Sequence, residues 1–182
     1  MNDAISDRKS VKRSDANSLG ETLHPDDFRR VVGSFATGVT IITTTAPNGE
    51  AIGLTASSFN SVSLEPPLVL FSLARKLYSH QAFEASKHFS ISVLHEGQLP
   101  LAKQFAVAFG EKWKDVEFEM GAFGCRLIKQ AAATLECEKY ASHDGGDHVI
   151  YVGRVLKIKA ESERAPLVFW RGKFGKVALE NA

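Results

Sequence analysis

The sequence predicts a mainly β domain with short α additions, its strands curled into a small barrel. Three observations carry that prediction. Six or seven short runs of β-branched, aromatic and aliphatic residues recur at even spacing between Pro, Gly and Asn turns. Three short stretches have helical periodicity, and they do not alternate regularly with strands as a doubly wound sheet requires. No G-x-G-x-x-G follows a strand, so the common dinucleotide cradle is missing. Strands of this length and spacing close on themselves or pack together to hide their edges.

The elements follow in chain order. Pro25 opens a helix over 25–35, with Asp26 and Asp27 in the first turn and Phe28, Val31, Val32 and Phe35 on one apolar stripe. Val39 to Thr45 is wholly β-branched and predicts a strand. Pro47-Asn48-Gly49 turns the chain. A second strand starts near Ala51 and runs through 55–63 until Pro66-Pro67 breaks it. Leu68 to Leu73 is a buried strand, and 79–85 a short helix capped by Ser79. Phe89 to Leu94 alternates as a half-buried strand, and 99–109 is helical. The stretch 110–122 has no clear period, with Trp113 and Phe118 as its anchors. Strands over 133–140 and 149–158 flank a loop, and Pro166 to Trp170 is a last strand before the turn Arg171-Gly172-Lys173.

The chain has 182 residues, 44% of them hydrophobic, which fits one domain with a real core. Residues 1–21 are polar and mixed in charge and read as a flexible tail, or an arm reaching a partner subunit; the domain proper is 22–182. A formal net charge of +1 gives no electrostatic footprint for nucleic acid. No apolar run approaches a membrane span, so no membrane partner is expected. Cys125 and Cys137 form no C-x-x-C pair and read as reduced thiols of a cytoplasmic protein.

Chemistry concentrates in three places. In Gly53-Leu54-Thr55-Ala56-Ser57-Ser58, small residues let the backbone approach a flat, polar-edged ring such as a flavin, with hydroxyls as donors or acceptors. The same residues also fit a strand end making local backbone bonds. Ser61 and Ser63 follow, their exit fixed by the two prolines. At the end of the buried strand, Ser72-Leu73-Ala74-Arg75-Lys76 brings small residues and then cations suited to a phosphate, or simply a solvated basic loop. Ser79 suits a phosphate or a helix cap. His143-Asp144-Gly145-Gly146-Asp147-His148 has ligands for zinc or iron, but no further His or Cys cluster supports it and paired glycines favour a hairpin; no metal is assigned. His148 starts the next strand, from where its ring would reach a nicotinamide or flavin edge.

The chain resembles the flavin reductase-like family of split-barrel flavin binders. The resemblance rests on Phe28-Arg29, Phe35-Ala36-Thr37-Gly38-Val39-Thr40, Gly53 to Phe59, Ser61 to Leu68, Gly145-Gly146-Asp147-His148, Gly153-Arg154-Val155 and Pro166-Leu167, and it covers 25 to about 175. It implies a split β-barrel of the FMN-binding type, a homodimer with flavin near the subunit interface, and an NAD(P)H-dependent reductase that supplies reduced flavin to a separate monooxygenase. FMN or FAD would be held by Gly53, Leu54, Thr55, Ala56, Ser57, Ser58, Ser61, Ser63, Ser72, Leu73, Ala74, Arg75 and Ser79. His143, Gly145, Gly146, Asp147 and His148 would face the nicotinamide of NADH or NADPH, with His148 in the catalytic position. Other functions open on the same barrel are direct oxidation or reduction of an organic substrate, and a non-enzymatic flavin or haem carrier. Two residues depart from the family pattern. Arg126 stands where proline is frequent, which bears on loop shape, and Phe174 where tyrosine is usual, which removes one hydroxyl.

Overall fold

A computed structural model describes residues 23–161 and 163–178. The tail expected over 1–21 lies outside the described residues. The chain divides into two units, 1–32 and 33–182. In the first, helix α1 spans Pro25–Val32, with Asp26 and Asp27 in its first turn paired to Arg29 and Arg30 one turn on. It stops three residues short of the expected end, at Gly33, a poor helix former. Phe28, Val31 and Val32 are all exposed.

The second unit is mainly β. Its strands are β1 (Thr37–Gly38), β2 (Thr40–Thr45), β3 (Ala51–Ala56), β4 (Asn60–Leu64), β5 (Pro67–Ala74), β6 (His88–Val93), β7 (Phe118–Met120), β8 (Arg126–Ile128), β9 (Ala133–Gly145), β10 (His148–Ala160), β11 (Leu167–Trp170) and β12 (Lys173–Lys176), with helices α2 (His80–Ala85) and α3 (Leu99–Ala106). Seven strands form one sheet in the order β3-β2-β6-β9-β10-β5-β4. The single strand expected from Ala51 to the proline pair is two strands on opposite edges of that sheet. Only residues 57–59 join them. Flat, the two edges would lie about 29 Å apart at about 4.8 Å per strand. Four Cα steps reach at most about 15 Å. The connection therefore curls the sheet until its edges approach without pairing, which makes a split barrel.

Ser58 closes part of that split. Beyond Leu70, β5 has lost its β4 partner. The Ser58 hydroxyl accepts from the Ser72 N–H at 3.0 Å and donates to the Ser72 carbonyl at 3.1 Å, standing in for the missing strand. Ser58→Ala is expected to lower stability by about 1 kcal/mol, read as a shift in urea midpoint with unchanged slope. An unchanged midpoint would mean that solvent satisfies Ser72 equally well.

Two cores result because β2 buries both faces. Ile42 joins Ile52, Leu54, Val69, Phe71, Leu73, Phe89, Ile91 and Tyr151 inside the barrel, with Phe83 of α2 covering it. Ile41 and Val39 face outward and pack with Leu94, Ala102 and Phe105 around α3, and with Ile128 and Leu167. Threonines survive in buried β2 because their hydroxyls donate to carbonyls: Thr40 to Ala56 at 2.9 Å, Thr43 to Arg126 at 2.5 Å, Thr44 to His88 at 2.7 Å. Cys125 and Cys137 are unpaired and buried, and burial pushes the Cys137 thiol up to about 12. No described helix is long and apolar enough to cross a membrane.

Three other expectations change. The helix expected over 99–109 ends at Ala106, where Val107 turns extended and the chain leaves to wall a cleft. Ser79 precedes α2, but its hydroxyl makes no capping bond, because its own backbone is already helical. The loop expected at 143–148 is mostly strand: β9 runs to Gly145 and β10 restarts at His148, leaving the turn Gly146-Asp147. Gly146 takes φ +76°, which a side chain would resist.

Candidate functional site

Strand β3 alternates strictly. Ile52, Leu54 and Ala56 enter the barrel core, so Ala51, Gly53 and Thr55 face out toward α3. Against that outer face lies a cleft of about 760 Å³, bounded by 50–55 on one side, 76–79 on a second and 105–114 on a third. Four of the residues expected from sequence meet there: Gly53, Leu54, Thr55 and Ser79. Thr55 spends its hydroxyl proton on the Ala102 carbonyl at 2.7 Å, so toward the cleft it offers only lone pairs.

Of the wall formed by 105–114, sequence reasoning gave a helix end over 105–109 and Trp113 as an anchor, but not its seat on β3. It is sewn onto β3. Lys112 Nζ donates to the Gly53 carbonyl at 3.0 Å and to the Phe105 carbonyl at 3.1 Å. Trp113 Nε1 donates to the Ala51 carbonyl at 2.7 Å. Gln104 Nε2 donates to the carbonyls of Lys112 and Lys114, both at 2.9 Å. The sequence marked Trp113 as an anchor; nothing in it singled out Lys112. Arg126, the departure from proline, opens β8 and lays its guanidinium over Trp113 at 4.6 Å and Phe118 at 4.1 Å, bracing the wall from behind. Phe174 packs edge-on against Phe169 at 5.2 Å, outside the cleft.

A second group forms around the Gly146-Asp147 turn. Pairing sets His148 opposite both Ala74 and Gly145. Arg75, expected to grip a phosphate, is already engaged. Its Nη2 donates to Asp144 Oδ1 at 2.9 Å and its Nε to the Gly146 carbonyl at 3.0 Å. Its backbone N–H donates to the Asp147 carbonyl at 3.0 Å. The Arg75 hydrogen bond, helped by the Gly146 N–H, holds the Asp144 carboxyl below its ordinary value. His148 Nδ1 lies 2.6 Å from Asp147 Oδ1, and this bond holds Asp147 low as well. An ionised carboxylate only accepts, so Nδ1 carries the proton and Nε2 is left for another partner.

The remaining expected residues sit elsewhere. Ser57 and Ser58 lie on the β3–β4 connection, Ser72 is tied to Ser58, and Leu73 points into the core. Ala56 is likewise buried in the core, and Ala74 pairs with His148. Ser61 and Ser63 are on edge strand β4 beside a register shift, and His143 and Gly145 are exposed near the turn. The structure thus brings together a cleft and a tethered turn, joined through consecutive residues Arg75 and Lys76, the latter lining the cleft. No described group of three or more His, Cys, Asp or Glu is placed to hold a metal ion.

Such a cleft offers backbone, short side chains, a free serine hydroxyl and three lysines against two glutamates, Glu50 and Glu111. It suits a flat, polar-edged ring carrying negative charge. The flavin reductase like domain matches residues 32–178. Over 153 residues the chain is 44% identical to the FMN reductase (NADH) SmoA of Agrobacterium fabrum, spanning 84% of this chain and 86% of that protein. It is 36% identical over 160 residues to the flavin-dependent monooxygenase reductase subunit HsaB of Rhodococcus jostii, spanning 88% and 82%. Among solved structures it is similar to the Streptomyces globisporus C-1027 NADH:FAD oxidoreductase SgcE6 in complex with NAD and FAD fragments. That match has TM-score 0.81 and 38% identity and covers 87% of this chain and 97% of that one.

Proposed function

The chain belongs to the flavin reductase like domain family, and from that premise we propose that it moves hydride from NADH or NADPH to FMN or FAD and releases the reduced flavin to a separate monooxygenase. The observation that carries this reading is the cleft on the outer face of β3, walled by Gly53 to Thr55 and by 105–114. Its residues fit a phosphorylated flavin. Gly53 lets Phe105 and Trp113 pack close so that the wall seats on β3, Ser79 keeps its hydroxyl, and Lys76 stands exposed at the rim beside it.

Bound flavin supplies the hydride acceptor; the protein supplies placement. The cleft fixes the ring against β3. The Arg75 latch holds the turn so that His148, its tautomer set by Asp147, presents Nε2 to the nicotinamide. The relatives named as reductase subunits of monooxygenases support the oxygenase partner. The chain works as a homodimer; the exposed Val62 and Leu64 on edge strand β4 support self-association, since bare apolar edges seek a partner. Its buried free thiols support a cytoplasmic setting.

The test is spectrophotometric. Purified protein with catalytic flavin should accelerate loss of NAD(P)H absorbance far above flavin alone, and without oxygen reduced flavin should accumulate. Oxidation no faster than with flavin alone would reject the reading. Sedimentation at several concentrations tests the dimer.

A further inference from the structure

Lys112 is the unusual cation of the cleft. Lys76 and Lys114 are exposed at the rim, whereas Lys112 is half-buried and fixed by the Gly53 and Phe105 carbonyls. An ammonium has three donors. Two are spent on those carbonyls, and the third belongs to the cleft that Lys112 lines. Burial pushes its pKa down from the ordinary lysine value, the cost of keeping a cation where water is scarce. If Lys112 only tied 105–114 to β3, a neutral donor such as glutamine would do the same at lower desolvation cost.

Hydride transfer breaks one C–H bond on the nicotinamide, forms one N–H bond at flavin N5 and moves two electrons. The flavin ring gains one negative charge and the nicotinamide one positive charge. That charge spreads over the N1–C2 carbonyl edge of the ring. We propose that Lys112 is a cofactor contact whose third N–H donates to the N1–C2 carbonyl edge of the flavin, favouring the reduced ring over the oxidised one. The proposal rests on the reading that this cleft holds flavin. A cation held in place before the charge arrives stabilises it without reorganising, and burial strengthens the effect. Lys114 pairs with Glu111 at 3.9 Å, which leaves exposed Lys76 and Ser79 for the more strongly hydrated phosphate.

The experiment measures binding, not turnover. Dissociation constants for oxidised and dithionite-reduced FMN are measured anaerobically above neutral pH, for wild type, Lys112→Met, Lys112→Gln and Lys112→Arg, and repeated with riboflavin, which lacks the phosphate. Wild type should bind the reduced form more tightly. The two neutral variants should lose about tenfold more affinity for reduced than for oxidised flavin. Riboflavin should show the same loss, and arginine should restore most of it. Equal weakening of both redox states makes Lys112 a structural tie and overturns the proposal. A loss confined to FMN makes it a phosphate contact and also overturns it. Absence of any preference for reduced flavin in wild type overturns it without folding of a variant being at issue. Failure of wild type to bind oxidised flavin at all rejects the cleft reading itself.

Discussion

Gly53→Ala should lose at least about tenfold in flavin affinity and about 1–3 kcal/mol in stability, the usual cost of overpacking. A Cβ at Gly53 would sit 2.5 Å from Phe105 Cε1 and 2.8 Å from Phe105 Cδ1, and 3.4 Å from Trp113 Cζ2. Phe105 is 1% exposed in the outer core, so its ring has nowhere to swing. The strain passes to the end of α3 and to the wall behind it. It also displaces the Gly53 carbonyl that holds Lys112. Flavin fluorescence titration gives the affinity and urea unfolding the stability. If stability falls while affinity holds, the Gly53–Phe105 contact serves the core and not the ligand site. If neither changes, β3 is not the wall of the binding site.

Arg75→Ala should raise the KM for NAD(P)H about tenfold while leaving the dissociation constant of oxidised flavin within about twofold, because two charge-assisted hydrogen bonds to the turn are lost and none to the cleft. Without the guanidinium, Asp144 keeps its bond from the Gly146 N–H, but the turn loses its side-chain tie to Arg75 and keeps there only the backbone bond from Arg75 to Asp147. His148 stays paired with Ala74, but Asp147, which orients its ring, is held less firmly. Lysine at this position should recover part of the effect, since it keeps charge but not the paired geometry. A variant that loses flavin affinity with unchanged nicotinamide KM would restore Arg75 to the phosphate. The same latch has a pH signature. Asp144 has a folded pKa below its unfolded value, so its contribution is present at neutral pH and lost only as pH falls through the depressed value. Carbon NMR of the Asp144 carboxyl should show it titrating closer to its ordinary value in Arg75→Ala.

Much of the architecture was legible because it rests on local rules. The β-branched run 39–45, the turn at Asn48-Gly49 and the alternating 89–94 announce themselves by periodicity and turn chemistry. Positions 55–63 did not. Ala56 to Asn60 holds no Gly or Pro to mark the break that sends β3 and β4 to opposite edges, and sheet order is a property of long-range pairing. The paired glycines at 145–146 suggested a loop, yet the cross-strand ladder carries β9 through Gly145.

By itself, the sequence determined the fold class, the family, the small-residue strand at 53–55 and the histidine-bearing hairpin. Each depends on residues close together in the chain. The tertiary structure alone decided which hydroxyls and cations remain for a ligand. Ser58 is consumed by Ser72, Thr55 by Ala102 and Arg75 by Asp144, while Lys112 arrives at Gly53 from 59 residues away. A side chain's role is set by what has already satisfied it, and those partners are chosen by folding across distances that no local pattern encodes.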